Sequence, residues 1–323
     1  MRGYLLIATL LVTSASLAMA QALPTMPSAL ANRWVCATEA GPGWNAAGYN
    51  DRGWVPVSHD VSLGYPDWME SEQQVLFRFM WHPGGSHRGS PVYFRRSIWL
   101  PGQIDQATIK VCADDIFGLY INGLGVGYRR KAGETGDFEV AGYLKTGQNV
   151  IALSAMDIKP PGYGLLVAPE ITQSWPFEEK DRAWRCSPAA AAGWTQKDFD
   201  DSHWQAAAKD SAPPIALENL GSFSCFSLPK GIPEYSSAYF RRVLEIDGLP
   251  VAAQVTILAD DGYELYVNGA YLAVEKRVDK AYWPATVDVT PHLQPGKNVI
   301  AVKVSNTWGP GRLYCVPTVK MVF

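Results

Sequence analysis

Beyond Ala20 the sequence has no apolar run long enough to cross a bilayer as a helix, so no membrane span is expected. It has no basic run either. Lys and Arg number 28 against 31 Asp and Glu, a net charge of −3, which leaves no electrostatic footprint for nucleic acid. The five cysteines form no Cys-x-x-Cys, so the usual redox and zinc-knuckle motifs are missing. The five histidines form no His-Glu-x-x-His. Gly85-Ser-His-Arg-Gly89 only superficially imitates a nucleophile elbow. Gly123-Leu-Gly-Val-Gly127 sits after a hairpin turn, with no helix to follow whose N-terminus could hold a phosphate. No Asn-x-Ser/Thr triplet offers a glycosylation acceptor. Helical periodicity is nearly absent, and the alanine patches at 189–192 and 206–208 are too brief to build on.

What is present is turns, aromatics and a duplication. Gly (29) and Pro (23) punctuate the chain at short intervals, and 12 Trp and 15 Tyr accompany them, a pattern of many short strands joined by turns. Ala113-Asp-Asp-Ile-Phe-Gly-Leu-Tyr-Ile-Asn-Gly123 returns as Ala259-Asp-Asp-Gly-Tyr-Glu-Leu-Tyr-Val-Asn-Gly269. In each copy Asp-Asp opens a turn, an alternating run makes a half-buried strand, and Asn-Gly supplies two positive-φ positions for a tight hairpin. Other segments recur in the same order. Arg33-Trp-Val-Cys36 matches Ala183-Trp-Arg-Cys186, Val92-Tyr-Phe-Arg-Arg96 matches Ala238-Tyr-Phe-Arg-Arg242, and Val150-Ile-Ala-Leu153 matches Val299-Ile-Ala-Val302. The least alike segments, Ser58 to Ser90 and Asp210 to Ser237, read as excursions from the core.

Met1 to Ala20 reads as a secretory signal peptide, with Arg2, an apolar stretch from Leu5 to Val12 and the small-x-small site Ala18-Met19-Ala20. The product is expected to be secreted, extracellular or periplasmic. Residues 21–174 are then a first β-sandwich and 175–323 a second, each of roughly 140–150 residues and large enough for its own core. Thr172 to Arg182 is the expected linker.

The ordered set Trp…Tyr-Phe-Arg-Arg…Ala-Asp-Asp-Gly-Tyr-Glu-Leu-Tyr-Val-Asn-Gly…Asp-Val-Thr…Leu-x-Pro-Gly-x-Asn-Val-Ile-Ala-Val resembles the galactose-binding-domain-like jelly roll. More narrowly, it is similar to the non-catalytic sugar-binding β-sandwich that accompanies family 2 glycosidases and α-L-rhamnosidases. The resemblance covers nearly the whole mature chain, twice, and implies an all-β fold of two tandem jelly-roll sandwiches. It does not fix a ligand, since this fold also serves surface attachment and structural docking. A jelly roll whose first and last strands lie close together would bring Cys186 to Cys315. Cys225 is the competing partner, and Cys112 is the expected buried free thiol.

The paired carboxylates of the repeated motif are Asp114-Asp115 and Asp260-Asp261, adjacent at a turn and pointing apart. That is a poor acid–base pair; turn formation with a salt bridge to the Arg-Arg pair is the expectation, and a bound calcium the minority alternative. No other cofactor is indicated. Trp34/Trp184, Trp44/Trp194 and Trp54/Trp204 recur and are expected in the core, whereas Trp68, Trp81, Trp175, Trp283 and Trp308 each occur once. A flat ring on a loop can stack against the C–H face of a sugar, with polar groups nearby for the hydroxyls; ordinary packing is the plainer alternative. The candidate ligand-binding residues are Tyr282, Trp283, Trp308 and Arg312 in the second copy, with Trp81 and Arg88 in the first. Trp99 is expected to face outward and seal the contact between copies. The expected function is non-enzymatic carbohydrate binding, against a structural or adhesion protein that docks other surface proteins and, third, an accessory part of a glycoside hydrolase system.

Overall fold

The structure, a computed structural model, describes residues 34–61, 69, 74, 77–131, 133–159, 162–176, 184–209, 215–217, 221–223, 225–276 and 284–323. Met1 to Ala20, read as a signal peptide, and Trp68, Tyr282 and Trp283 therefore lie outside the described residues. The fold is all-β. The first half contributes β1 (Val35–Ala37), β2 (Val55–Pro56), β3 (Pro91–Leu100), β4 (Gln103–Ala113), β5 (Ile116–Ile121), β6 (Leu124–Arg129), β7 (Thr135–Glu139), β8 (Gly147–Met156) and β9 (Leu165–Ser174). The second contributes β10 (Trp184–Ser187), β11 (Gln205–Ala206), β12 (Ala208–Lys209), β13 (Ile215–Leu217), β14 (Gly221–Phe223), β15 (Phe226–Ser227), β16 (Ser236–Ile246), β17 (Leu249–Asp260), β18 (Gly262–Val267), β19 (Ala270–Lys276), β20 (Ala285–Asp288), β21 (Gly296–Asn306) and β22 (Arg312–Val322).

One six-stranded sheet runs β2-β1-β3-β8-β5-β6, and another runs β11-β10-β16-β21-β18-β19, the same order written with the second half's strands. The alternation read from sequence is the cause: along β22 every second side chain from Leu313 to Val319 is buried, one face to the core and one outward. The hairpin turns are as expected. Asn122 and Gly123 have φ of 51° and 89°, and Asn268 and Gly269 have 50° and 87°. The two turn asparagines also reach a buried asparagine near the start of the neighbouring strand in the sheet, Asn122 to Asn149 of β8 and Asn268 to Asn298 of β21, each at 2.9 Å.

The third sheet belongs to both halves. Its order is β12-β15-β22-β9-β4-β7, with β17 also paired to β22 and β20 paired to β17. The junction is antiparallel, from Thr318↔Ser174 to Val322↔Glu170. Pro169 and Pro317, which have no N–H to give, end this pairing on each strand; Phe323 N–H instead reaches Pro169 O at 3.3 Å and Trp175 N–H reaches Pro317 O at 3.0 Å. The ends cross over. Arg96 of β3 lies over the Phe323 ring at 5.7 Å, and Arg242 of β16 reaches Trp175 O at 3.4 Å. Thr172 to Ser174, expected as linker, are therefore paired strand, and Trp175 is a core residue.

Phe77 and Phe79, in the first excursion, pack with Met69 against Cys112, Leu166, Ala168, Leu249 and Val322, so this segment folds back onto the shared sheet. All five cysteines are free and buried, and the expected Cys186–Cys315 bridge is absent. Cys186 sits on β10 of a six-stranded sheet and Cys315 on β22 of the shared sheet, each packed in the core as a small apolar side chain.

Candidate functional site

The Asp-Asp turns organise one end of each half. Asp115 Oδ2 accepts the backbone N–H of Ile158 and Lys159 at 2.6 and 2.9 Å, which hangs the segment after β8 from the turn between β4 and β5. Asp261 Oδ2 does the same for Thr307 and Trp308 at 2.6 and 3.0 Å. Arg95 and Arg241 find other partners than the salt bridge to the turn expected from sequence. Arg95 bonds Asp51 at 3.0 Å and Arg241 bonds Asp201 at 2.8 Å. Each also donates to two carbonyls of the aromatic loop above it, Trp44 and Ala46 or Trp194 and Gln196. Alternation explains this: Arg95 and Arg241 point under that loop, away from the turn, while Arg96 and Arg242 point toward Trp34 and Trp184.

Beyond this shared clamp the two ends diverge. In the first half Asp157, 1% exposed, follows β8 and accepts the Ser86 hydroxyl. Asp114, Asp115 and Asp157 offer one oxygen each within 4.8 Å. Burial raises the Asp114 carboxyl above the ordinary carboxylate range, and the charges of Asp115 and Asp157 push it further. Asp157 Oδ1 is buried with no hydrogen-bond partner among the described residues. Three carboxylates form an all-oxygen donor set that suits a hard divalent cation.

In the second half Asn306, the last residue of β21, stands in the place of Asp157, and Arg312 faces Asp260. Arg312 Nε lies 3.6 Å from Asp260 Oδ2, an ion pair longer than a hydrogen bond, with side chains 12% and 10% exposed. Asn306 donates to Ile232 O and Gly309 O at 2.8 and 2.9 Å. Glu234 accepts the Gly309 N–H at 3.1 Å. The segment carrying Trp308 is thus held from three sides.

Trp308 is 65% exposed, and beside it stands Tyr235, 69% exposed, with ring centroids 5.3 Å apart and planes at 67°. Tyr235 has φ of 58°, rare for a bulky residue. Of the residues named from sequence, Trp308 stands exposed on its loop. Arg312 is adjacent but turned inward to Asp260. Trp81 is corrected: at 1% exposure it packs on Phe94 and Tyr163 and presents no face, while Arg88 is exposed apart from it. His82 and His87 do meet, ring nitrogens 3.1 Å apart. Trp99 is 51% exposed, and its backbone N–H donates to Asp247 of the other half at 2.8 Å. Tyr235 was not among the residues read from sequence. The signal was available: comparing copies for single-occurrence tyrosines, as for tryptophans, finds it, because Gly89 stands in the matching place. Of the recurring tryptophans, Trp34, Trp184 and Trp204 are buried; Trp44, Trp54 and Trp194 are half-buried, Trp44 stacked on Trp54 and Trp194 on Trp204, with Trp44 edge-on to Tyr93 and Tyr120 and Trp194 edge-on to Tyr239 and Tyr266.

No family model matches the sequence. An alpha-L-rhamnosidase of Streptomyces avermitilis is 25% identical over 260 residues, which are 73% of this chain and 24% of that protein. The chain thus spans about a quarter of the length of this curated relative. Among solved structures, the Streptomyces avermitilis alpha-L-rhamnosidase complexed with L-rhamnose aligns with 90% of this chain and 29% of its own, at 18% identity and a TM-score of 0.27. The apo Pleurotus ostreatus lectin aligns with 75% of this chain and 77% of its own, at 25% identity and a TM-score of 0.25.

Proposed function

We propose that this chain binds carbohydrate without converting it, and that Tyr235 and Trp308 form the platform. The observation that carries the reading is an exposed aromatic pair on a backbone fixed by Asp261, Glu234 and Asn306. A hydrated hydroxyl gains little by exchanging water for protein; the surplus comes from covering the C–H face of a sugar with a ring. About 60 Å² of apolar surface removed from water is worth about 1.5 kcal/mol, roughly tenfold in affinity for each ring. A platform that is already rigid loses little of this to ordering. The likeness to an alpha-L-rhamnosidase over part of that protein's length supports a carbohydrate-related role. A binding role also fits the carboxylates, since Asp115 and Asp261 are committed to backbone N–H groups and Asp157 is closed to solvent. Export on the Met1 to Ala20 segment, which lies outside the described residues, is part of the proposal.

The test is a glycan array and polysaccharide-column retention with the mature protein. Trp308→Ala and Tyr235→Ala are each expected to lose retention at an unchanged melting temperature. Wild-type protein that retains no glycan would return the exposed pair to the docking of another protein.

A further inference from the structure

The two halves carry the same clamp in different electrical surroundings. In the first, the backbone N–H of Asp114 meets Gly164 O at 3.0 Å, so no side chain stands across the strand from Asp114. In the second, the cross-strand partner of Asp260 is Arg312. Where the first half gathers three carboxylates, the second has two, an amide (Asn306) and a guanidinium. Carboxylates gathered at one turn repel one another, and a positive charge beside them offsets that repulsion. The second half supplies that charge as a side chain, and the pair is mostly removed from water, where it is little screened.

We propose that Arg312 is a built-in cation: through Asp260 it holds the Asp260–Asp261 turn, and through Asp261 it sets the backbone of Thr307 and Trp308, with no dissolved metal ion required. Arg312 is thus a positioning residue, not a group that meets the ligand. This inference rests on the carbohydrate reading only for its purpose, since the clamp can be read without a sugar.

The experiment is hydrogen exchange at the Thr307 and Trp308 amides of the full chain, both of which donate to Asp261. In wild-type protein their protection is expected to be the same in EDTA and in 1 mM CaCl2. Arg312→Met, which keeps the apolar stem and removes the charge, should lower protection at both amides by about tenfold. Arg312→Lys should restore most of it. Loss of wild-type protection in EDTA, equal protection in Arg312→Met and wild type, or equal loss in the Met and Lys variants would each overturn the proposal. Should Arg312→Met fail to fold, the EDTA comparison and the Lys variant still decide. A wild-type protein that binds no glycan but keeps this exchange pattern would sink the carbohydrate reading and leave Arg312 in its role.

Discussion

The cysteines show how one residue type can mislead when address is read before environment. Five Cys in a chain read from its sequence as exported invite disulfides, yet every thiol is buried and free. Burial pushes the Cys36 thiol up to about 12 and the Cys186 thiol to about 11, and raises those of Cys112 and Cys315 as well. Because the thiolate is the reactive form, a raised pKa means almost none of it at pH 8, and reactivity grows only as pH climbs toward these values. Native protein at pH 8 is therefore expected to resist iodoacetamide at all four, and unfolded protein to be alkylated fully; rapid native labelling of Cys36 or Cys186 would contradict their placement. The aromatic residues were more legible. Trp308 stood out because the first copy has Lys159 in its place, so a packing need common to both copies does not account for it. Trp81 failed the same reasoning because a single-copy ring can still be a core ring: the first half fills with Trp81 the space that Phe226 fills against Trp184 and Phe240 in the second.

At the scale of the element, the Asp-Asp to Asn-Gly unit behaves as its sequence says, because every part of it is local. A turn needs positive φ at two positions, and Asn-Gly provides them. Gly269→Val would force a β-branched residue to φ of 87° and drive its Cβ into the Gln196 side chain. Gln196 can move aside, so the backbone decides the effect, and a loss of at least about 1 kcal/mol is expected. The denaturant midpoint should fall accordingly, and an unchanged midpoint would remove the turn assignment. What sequence could not show was the use of the second Asp in each pair. Its partners, Ile158 and Lys159 or Thr307 and Trp308, are backbone N–H groups far along the chain, and backbone donors leave no mark in side-chain identity. The pairing of β9 with β22 was hidden for a like reason: alternation reveals which face of a strand is buried, never which edge is taken.

For the whole molecule, the division between residues 174 and 175 is our proposal for where one sandwich gives way to the next. The strand order repeated in two sheets supports it, and the sheet common to both halves limits how independent they are. Residues 175–323 expressed alone are expected to fold and unfold cooperatively. They would also bare the edge from Thr318 to Val322 that β9 covers, so self-association should accompany folding. Light scattering checks this: a disordered fragment would remove the division, and a monomer as stable as the full chain would make the common sheet irrelevant to stability. The exchanged ends have a further consequence, for the order of events at the ribosome. A growing chain can pair β3 with β8 soon after both have emerged. Arg96, however, keeps its aromatic cover from Phe323, and the Pro169 carbonyl its Phe323 N–H, only once nearly all of the second half has been translated. The half that is made first stays open until the half made second is in place.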